Sequence, residues 1–169
     1  DDARPAGKAA RGYKAANFHG LGTNYPAVQD ILNLVVDKGK SQVKDRSRVG
    51  ENFYMRGVFN SVLIAEAIRT AQGKYGKRVI NGEEMRWGME NMNLTSERLA
   101  EIGLPGFTNP ISVSCEDHAT NGPIYIQQWN GSSWERVSGW ISSMGRVRPM
   151  LEKAAAEYKA KNNLSDRTI

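Results

Sequence analysis

The sequence predicts an α/β protein in which helices pack on a sheet, and three stretches carry that reading. The first is a hairpin. Ile124, Ile126 and Gln128 alternate with Tyr125, Gln127 and Trp129, Asn130-Gly131 supplies a turn, and Trp134 to Ile141 runs back. Asn-Gly suits such a turn because both residues tolerate positive φ, which matches the strand twist, and Ser132-Ser133 lengthens the loop to four residues. The second is Glu51 to Gln72, the longest helical pattern. Tyr54, Val58, Val62, Ala65, Ile68 and Ala71 recur at steps of three and four, and Phe53, Met55, Phe59 and Ile64 widen the stripe. A helix apolar over so much of its circumference packs on more than one side. The third is a helix from Pro26 to about Lys38, with Val28, Ile31, Leu32, Val35 and Val36 as its stripe, Pro26 at its first turn and Gly39 as its stop.

The remaining elements follow in order. Residues 1–10 read as loop, and Arg11 to Phe18 as a short strand. His19-Gly20-Leu21-Gly22-Thr23-Asn24 is a glycine-containing connection. Lys40 to Gly50, with Lys44, Arg46 and Arg48, is either a solvated loop or a segment that holds an anion. Asn81 with Glu84 is a capping box opening a helix that carries Met85, Trp87, Met89 and Met92, which read as core filling or a soft ligand surface. Thr95-Ser96 starts another short helix, with Leu99 and Ile102 inward. Leu104 to Thr108 is loop, and Ile111 to Ser114 a strand. Pro149 opens a last helix with Met150, Leu151, Ala154, Ala155 and Tyr158 on one face.

Composition bounds the function. The 169 residues are 40% hydrophobic and 24% charged, ordinary for a globular chain. No apolar run approaches the roughly 20 residues of a membrane span. The start, Asp1-Asp2-Ala3-Arg4-Pro5, lacks a signal-peptide pattern, which leaves a cytosolic protein or a mature or truncated chain. The net charge of +5 is not gathered into one stripe and gives no expectation of nucleic acid. One cysteine forms no internal disulfide.

Tests for chemistry give little. Cys115-Glu116-Asp117-His118 resembles a catalytic cluster, but sequence neighbours rarely reach nucleophile–base geometry, and a turn after the strand accounts for it. Two histidines and one cysteine are too few for a dedicated His/Cys metal site, so no metal or cofactor is expected. Gly20-Leu21-Gly22 lacks the third glycine of a phosphate loop. Asn93-Leu94-Thr95, Asn130-Gly131-Ser132 and Asn163-Leu164-Ser165 match the glycosylation pattern, a short match that arises by chance. Trp134 and Trp140 lie six apart on the return strand, which places them on one face, either as a stacking platform or packed beneath the last helix.

Several stretches together resemble one family. Gly12-Tyr13 to Phe18, Gly50 to Ala71 with Tyr54, Gly57 and Glu66-Ala67-Ile68, Ile111 to His118, Ile124-Tyr125-Ile126-Gln127-Gln128-Trp129 and Trp134-Glu135-Arg136-Val137 are similar, in order and spacing, to the leucine/isoleucine/valine-type substrate-binding proteins of bacterial ABC transporters. These are the type I periplasmic binding proteins, and the likeness covers about the C-terminal half of a member.

The resemblance implies a partial two-lobe fold, with helices on a mostly parallel sheet and a C-terminal hairpin. Residues 1–20 would supply a second-lobe strand, 21–123 part of the first lobe, and 124–169 second-lobe strands and the last helix. Gly20, Gly22, Ile124 and Ile126 would lie at the hinge crossings, and Phe18, His19 and Asn24 at the edge of the cleft. Most ligand contacts would come from the N-terminal half of the same protein. The implied protein is periplasmic and is not an enzyme. It takes a branched-chain or other amino acid, an amide or an aromatic acid, and delivers it to an ABC permease. A ligand-sensing receptor domain of the same fold is equally compatible, and a small cytosolic enzyme using Cys115 and His118 is the alternative of a different class. The half-fold reading also predicts that the Glu51–Gln72 helix carries uncovered apolar surface.

Overall fold

The structure is a computed structural model that describes residues 3–118, 122–142 and 144–165. Its centre is an antiparallel sheet of β1 (Lys14–Asn17), β4 (Tyr125–Trp129) and β5 (Trp134–Arg136), with β4 in the middle. Tyr125, Gln127 and Trp129 are buried and their neighbours are not, so the alternation read from the sequence is the real two-sided pattern of β4. The turn uses four residues. Asn130 Oδ1 accepts from the amides of Ser132 and Ser133, each at 2.9 Å, and Gly131 takes φ +106°. Regular pairing in the return strand ends at Arg136, short of the predicted Ile141, because Ser138 Oγ takes the Ile126 amide (2.8 Å); Ile141 then re-pairs with Ile124 through two backbone bonds of 2.7 and 2.9 Å.

The chain start is not the loop the sequence suggests. It is a helical turn, α1 (Ala3–Ala6), continued by a 3-10 turn over Gly7–Ala10. Trp129 Nε1 donates to the Gly7 carbonyl at 2.8 Å and so ties this turn to the sheet.

Between β1 and β4 the chain is mostly helical. α2 (Pro26–Ile31) continues as a π-helical stretch over Leu32–Val36, and α3 (Asn52–Tyr75) is the long helix. It passes through Gly73 and stops at Gly76, whose φ of +92° an L side chain would resist. α4 (Gly82–Glu90) opens on the predicted capping box: Asn81 Oδ1 accepts from the Glu84 amide (2.9 Å), and Glu84 Oε2 accepts from the Asn81 amide (3.0 Å). β2 (Asn93–Leu94) pairs antiparallel with β3 (Ile111–Ser112), and α5 (Ser96–Glu101) starts at Thr95, whose hydroxyl accepts from the Arg98 amide (3.2 Å). The core of this helical part is Val28, Leu32, Val49, Met55, Leu94, Leu99, Leu104 and Phe107. Leu104 and Phe107 come from the segment read as loop: the backbone is irregular, but both side chains are buried.

Two expectations are corrected. Every described strand pair is antiparallel, so the mostly parallel sheet is not found among the described residues. The α/β class itself holds. The last helix, α6, begins at Met144, with Pro149 inside it, and buries no residue; Met150, Leu151 and Tyr158 on its apolar face are exposed. Trp134 and Trp140 therefore do not pack beneath it. They pack edge-on against Trp129 (5.6 Å between ring centroids) and Tyr125 (5.2 Å).

The prediction of apolar surface on α3 is met. Phe53 is 68% and Ile64 50% exposed, and open apolar hollows of about 620 and 880 Å³ lie on either side of the helix.

Candidate ligand-binding cleft

The chain leaves the sheet at the end of β1 and returns just before β4, and these two passages run side by side because Asn17 pairs with Tyr125. Between the sheet and the helical part, beside the passages, lies a cleft of about 500 Å³. One wall is Leu21 to Thr23 with Arg46, Ser47 and Val49 to Asn52; the other is Trp129 with Ser132 to Trp134, and Arg4 closes one side. The floor is backbone: the Gly22 amide donates to the Gly50 carbonyl at 2.9 Å, and Gly50 takes φ +94°.

The charge in the cleft is concentrated on Glu51. Its Oε1 meets Arg4 Nη1 at 2.5 Å, and its Oε2 lies 2.7 Å from Arg48 Nε, off the direction of a hydrogen bond. Arg46 is held by Asp37 at 2.8 Å, which keeps the Asp37 carboxyl below its ordinary range. Asp45 caps the 3-10 turn at Arg46–Arg48 through the Ser47 amide. The basic loop is therefore ordered by its own acids and presents hydroxyls and guanidinium groups to the cleft.

The cleft continues past Leu21 and Trp134 into an aromatic niche of about 180 Å³. Tyr125 closes its base. The Tyr125 hydroxyl donates to the His19 carbonyl at 2.6 Å, and burial, with a further contribution from Tyr25, pushes its pKa up to about 12. Burial likewise raises Tyr25.

The residues singled out from sequence take different places. His19 is fully buried inside the helical part. Its Nδ1 bonds the Gly20 carbonyl (3.0 Å) and its Nε2 accepts from Arg56 Nε (2.8 Å), an arrangement that fixes the proton on Nδ1. Burial lowers its pKa, and the Arg56 charge adds to that. Phe18 packs edge-on against Phe59 and lies 3.9 Å under the Arg56 guanidinium; it lines the 620 Å³ hollow, not the cleft. Asn24 is exposed. Gly20 and Gly22 are both pinned: the Gly20 amide donates to the Phe107 carbonyl (2.6 Å), and a Cβ on Gly20 would overlap Tyr25. Ile124 and Ile126 are held in the sheet edge and in β4. At the other cluster, the Ser114 amide donates to the Asp117 carbonyl (3.1 Å), which closes the expected turn, and Asp117 takes Arg148 at 2.6 Å while His118 faces Glu90 at 3.3 Å. Among the described residues no three His, Cys, Asp or Glu side chains gather as metal ligands. Glu51, Arg4 and Trp134, which shape the cleft, come from distant parts of the chain; the cluster of Arg46 and Arg48 is the one local signal that points to it.

No protein-family model and no curated protein matches the chain. Two solved structures do. One, described as an ABC transporter permease from the Pseudomonas fluorescens group, is 39% identical with a TM-score of 0.89, over 97% of this chain and 40% of that one. The other, a branched-chain amino acid ABC transporter from Thermus thermophilus with bound valine, is 18% identical with a TM-score of 0.63, over 86% of this chain and 37% of that one. This chain is thus similar, over most of its length, to ABC transporter proteins, and its fold is part of the type I periplasmic-binding-protein fold. It spans less than half the length of either structure.

Proposed function

We propose that these residues form part of the solute-binding component of an ABC importer, a protein that performs no chemistry and holds a small amino acid, or a related organic acid or amide, between two hinged lobes. In this reading residues 1–20 and 124–169 belong to one lobe and 21–123 to the other, the protein works in the periplasm, and the closed form is recognised by an ABC permease. In this reading the remainder of both lobes lies outside these 169 residues, in keeping with the 40% and 37% of the two similar structures that the chain spans. The observation that carries the reading is the position of the cleft: its paired charges and hydroxyls sit between sheet and helices, where the chain passes from one to the other. The likeness in fold to a valine-bound transporter protein supports it. Closure would be a population shift driven by contacts that only the closed form completes.

Calorimetric titration of the full-length protein that carries this chain tests the proposal. Amino acids or organic acids should bind the full-length protein, and the 169-residue chain alone should bind far more weakly because half of the cleft is absent. Tight binding by this chain alone would contradict the shared-cleft arrangement, and a full-length protein that takes up no such solute would overturn the function.

A further inference from the structure

The niche at the end of the cleft is built from Tyr25, Phe107, Tyr125, Trp134, Trp140 and Arg136. Arg136 is its one cation. Its guanidinium carbon lies 4.6 Å from the Tyr125 ring centre and 4.7 Å from that of Trp140, and its Nε donates to the Ser138 carbonyl at 2.8 Å. The group is thereby fixed in direction, with its terminal nitrogens beyond that bond. The arginines that line the charged cleft each face a carboxylate, Arg4 facing Glu51 and Arg46 facing Asp37, and Arg48 beside it also faces Glu51. Among the described residues no carboxylate pairs with Arg136.

Resting on the solute-binding reading above, we infer that this niche takes a planar aromatic carboxylic acid: the carboxylate pairs with Arg136, and the ring seats against Trp134, Trp140 and Tyr25. A guanidinium is planar and matches a carboxylate through two parallel N–H bonds, which a fixed fork forms at low entropic cost. Tryptophan and tyrosine rings favour a further ring in edge-on or offset contact. The niche has room for one ring and its substituent. The charge balance disfavours a zwitterion. Besides Arg46, which Asp37 holds, Arg4 and Arg136 line the cleft and niche with Glu51 as the one lining carboxylate among the described residues, and Glu51 is already shared by two guanidinium groups, those of Arg4 and Arg48. An ammonium group would have to displace one of them and would stand in the field of a third cation.

The test is titration of the full-length protein with benzoate and 4-hydroxybenzoate against valine and leucine, followed by calorimetry and by tryptophan fluorescence, for the parent and for Arg136→Met and Arg136→Lys. Arg136 is exposed, and both variants keep an unbranched stem, so an unchanged urea midpoint serves as the folding control. The expected result is that an aromatic acid binds and quenches tryptophan emission, and that Arg136→Met weakens it roughly tenfold to a hundredfold, as loss of a charged hydrogen-bond partner does. Arg136→Lys should fall between, because it keeps the charge and loses the fork. Binding of valine or leucine without the aromatic acids overturns this inference and leaves the solute-binding reading standing. Binding of none of the four overturns this inference, and the solute-binding reading is then decided by the wider titration with amino acids and organic acids. An aromatic acid bound equally by parent and Arg136→Met also overturns the assignment.

Discussion

Gly22 and Gly50 meet backbone to backbone: a Cβ placed on Gly50 would stand 2.9 Å from the Gly22 carbonyl carbon, and the Gly50 φ is +94°. Strain and overlap act together here, so Gly50→Ala should lower stability by about 1–3 kcal/mol in urea unfolding of the full-length protein. It should also weaken solute binding, because the floor of the cleft would shift. A variant that unfolds at the parent's midpoint would show that the contact does not set the floor.

His19 predicts a pH dependence. Its folded pKa lies below the unfolded value, chiefly through burial, so the unfolded chain binds the extra proton first. Stability should therefore be complete above about pH 6.5 and decline as pH falls below it, by at most about 1.4 kcal/mol per pH unit from this residue. His19→Gln should remove that part of the slope between pH 7 and 5, measured as the difference in urea midpoints. Identical slopes in parent and variant would mean that the imidazole takes up its proton at the same pH in the folded and the unfolded chain.

Glu66 lies buried on α3, with Arg98 Nη2 on Oε1 and Arg69 Nε on Oε2, each at 2.7 Å. Burial would raise this carboxyl, but the hydrogen bonds from Arg98 and Arg69 outweigh it, and the net shift is downward. Glu66→Gln keeps the size and removes the charge that faces both guanidinium groups. It should cost about 1–3 kcal/mol, less than a fully buried pair because half of the Arg69 side chain is in water. The parent's contribution from Glu66 should be present above the unfolded carboxyl range and fade as pH falls through the lower folded value.

The crossing of α3 and α4 depends on Gly88. A Cβ there would fall 2.3 Å from the Ala67 carbonyl oxygen and 2.9 Å from the Ala71 side chain. Gly88→Ala should cost about 1–3 kcal/mol by overpacking, despite the better helix propensity of alanine. Because Gly88 lines neither the cleft nor the niche, solute selectivity should be retained by the folded fraction; a change in selectivity would link the α4 position to the site.

Elements defined by local signals were legible in the sequence. The alternation of β4, the Asn130-Gly131 turn, the Asn81–Glu84 capping box and the broad stripe of α3 all reappear as structure. What was hidden depends on distant partners. The turn at Ala3–Ala10 is tied to the sheet by Trp129, and Leu104 and Phe107 enter the core from irregular backbone. The cleft was hidden for the same reason. Arg4 and Glu51 are 47 residues apart, and neither carries a motif. His19 drew attention as a histidine beside glycines, yet it is buried, and its neighbour Gly20 is required by the closeness of the Tyr25 hydroxyl. The stripe of α6 was read correctly as a stripe, but a pattern states which face is apolar and not whether the same chain covers it.

The bond from the Tyr125 hydroxyl to the His19 carbonyl stitches the outgoing and returning strands into one doubled ribbon. Two adjacent cords joined by a rung resist being dragged past each other, because any slip must break the rung and the neighbouring ladder together. They yield more readily to torsion along their length. Movement of the sheet against the helices should accordingly be a swivel about this ribbon, with an axis that passes close to Asn17 and Tyr125.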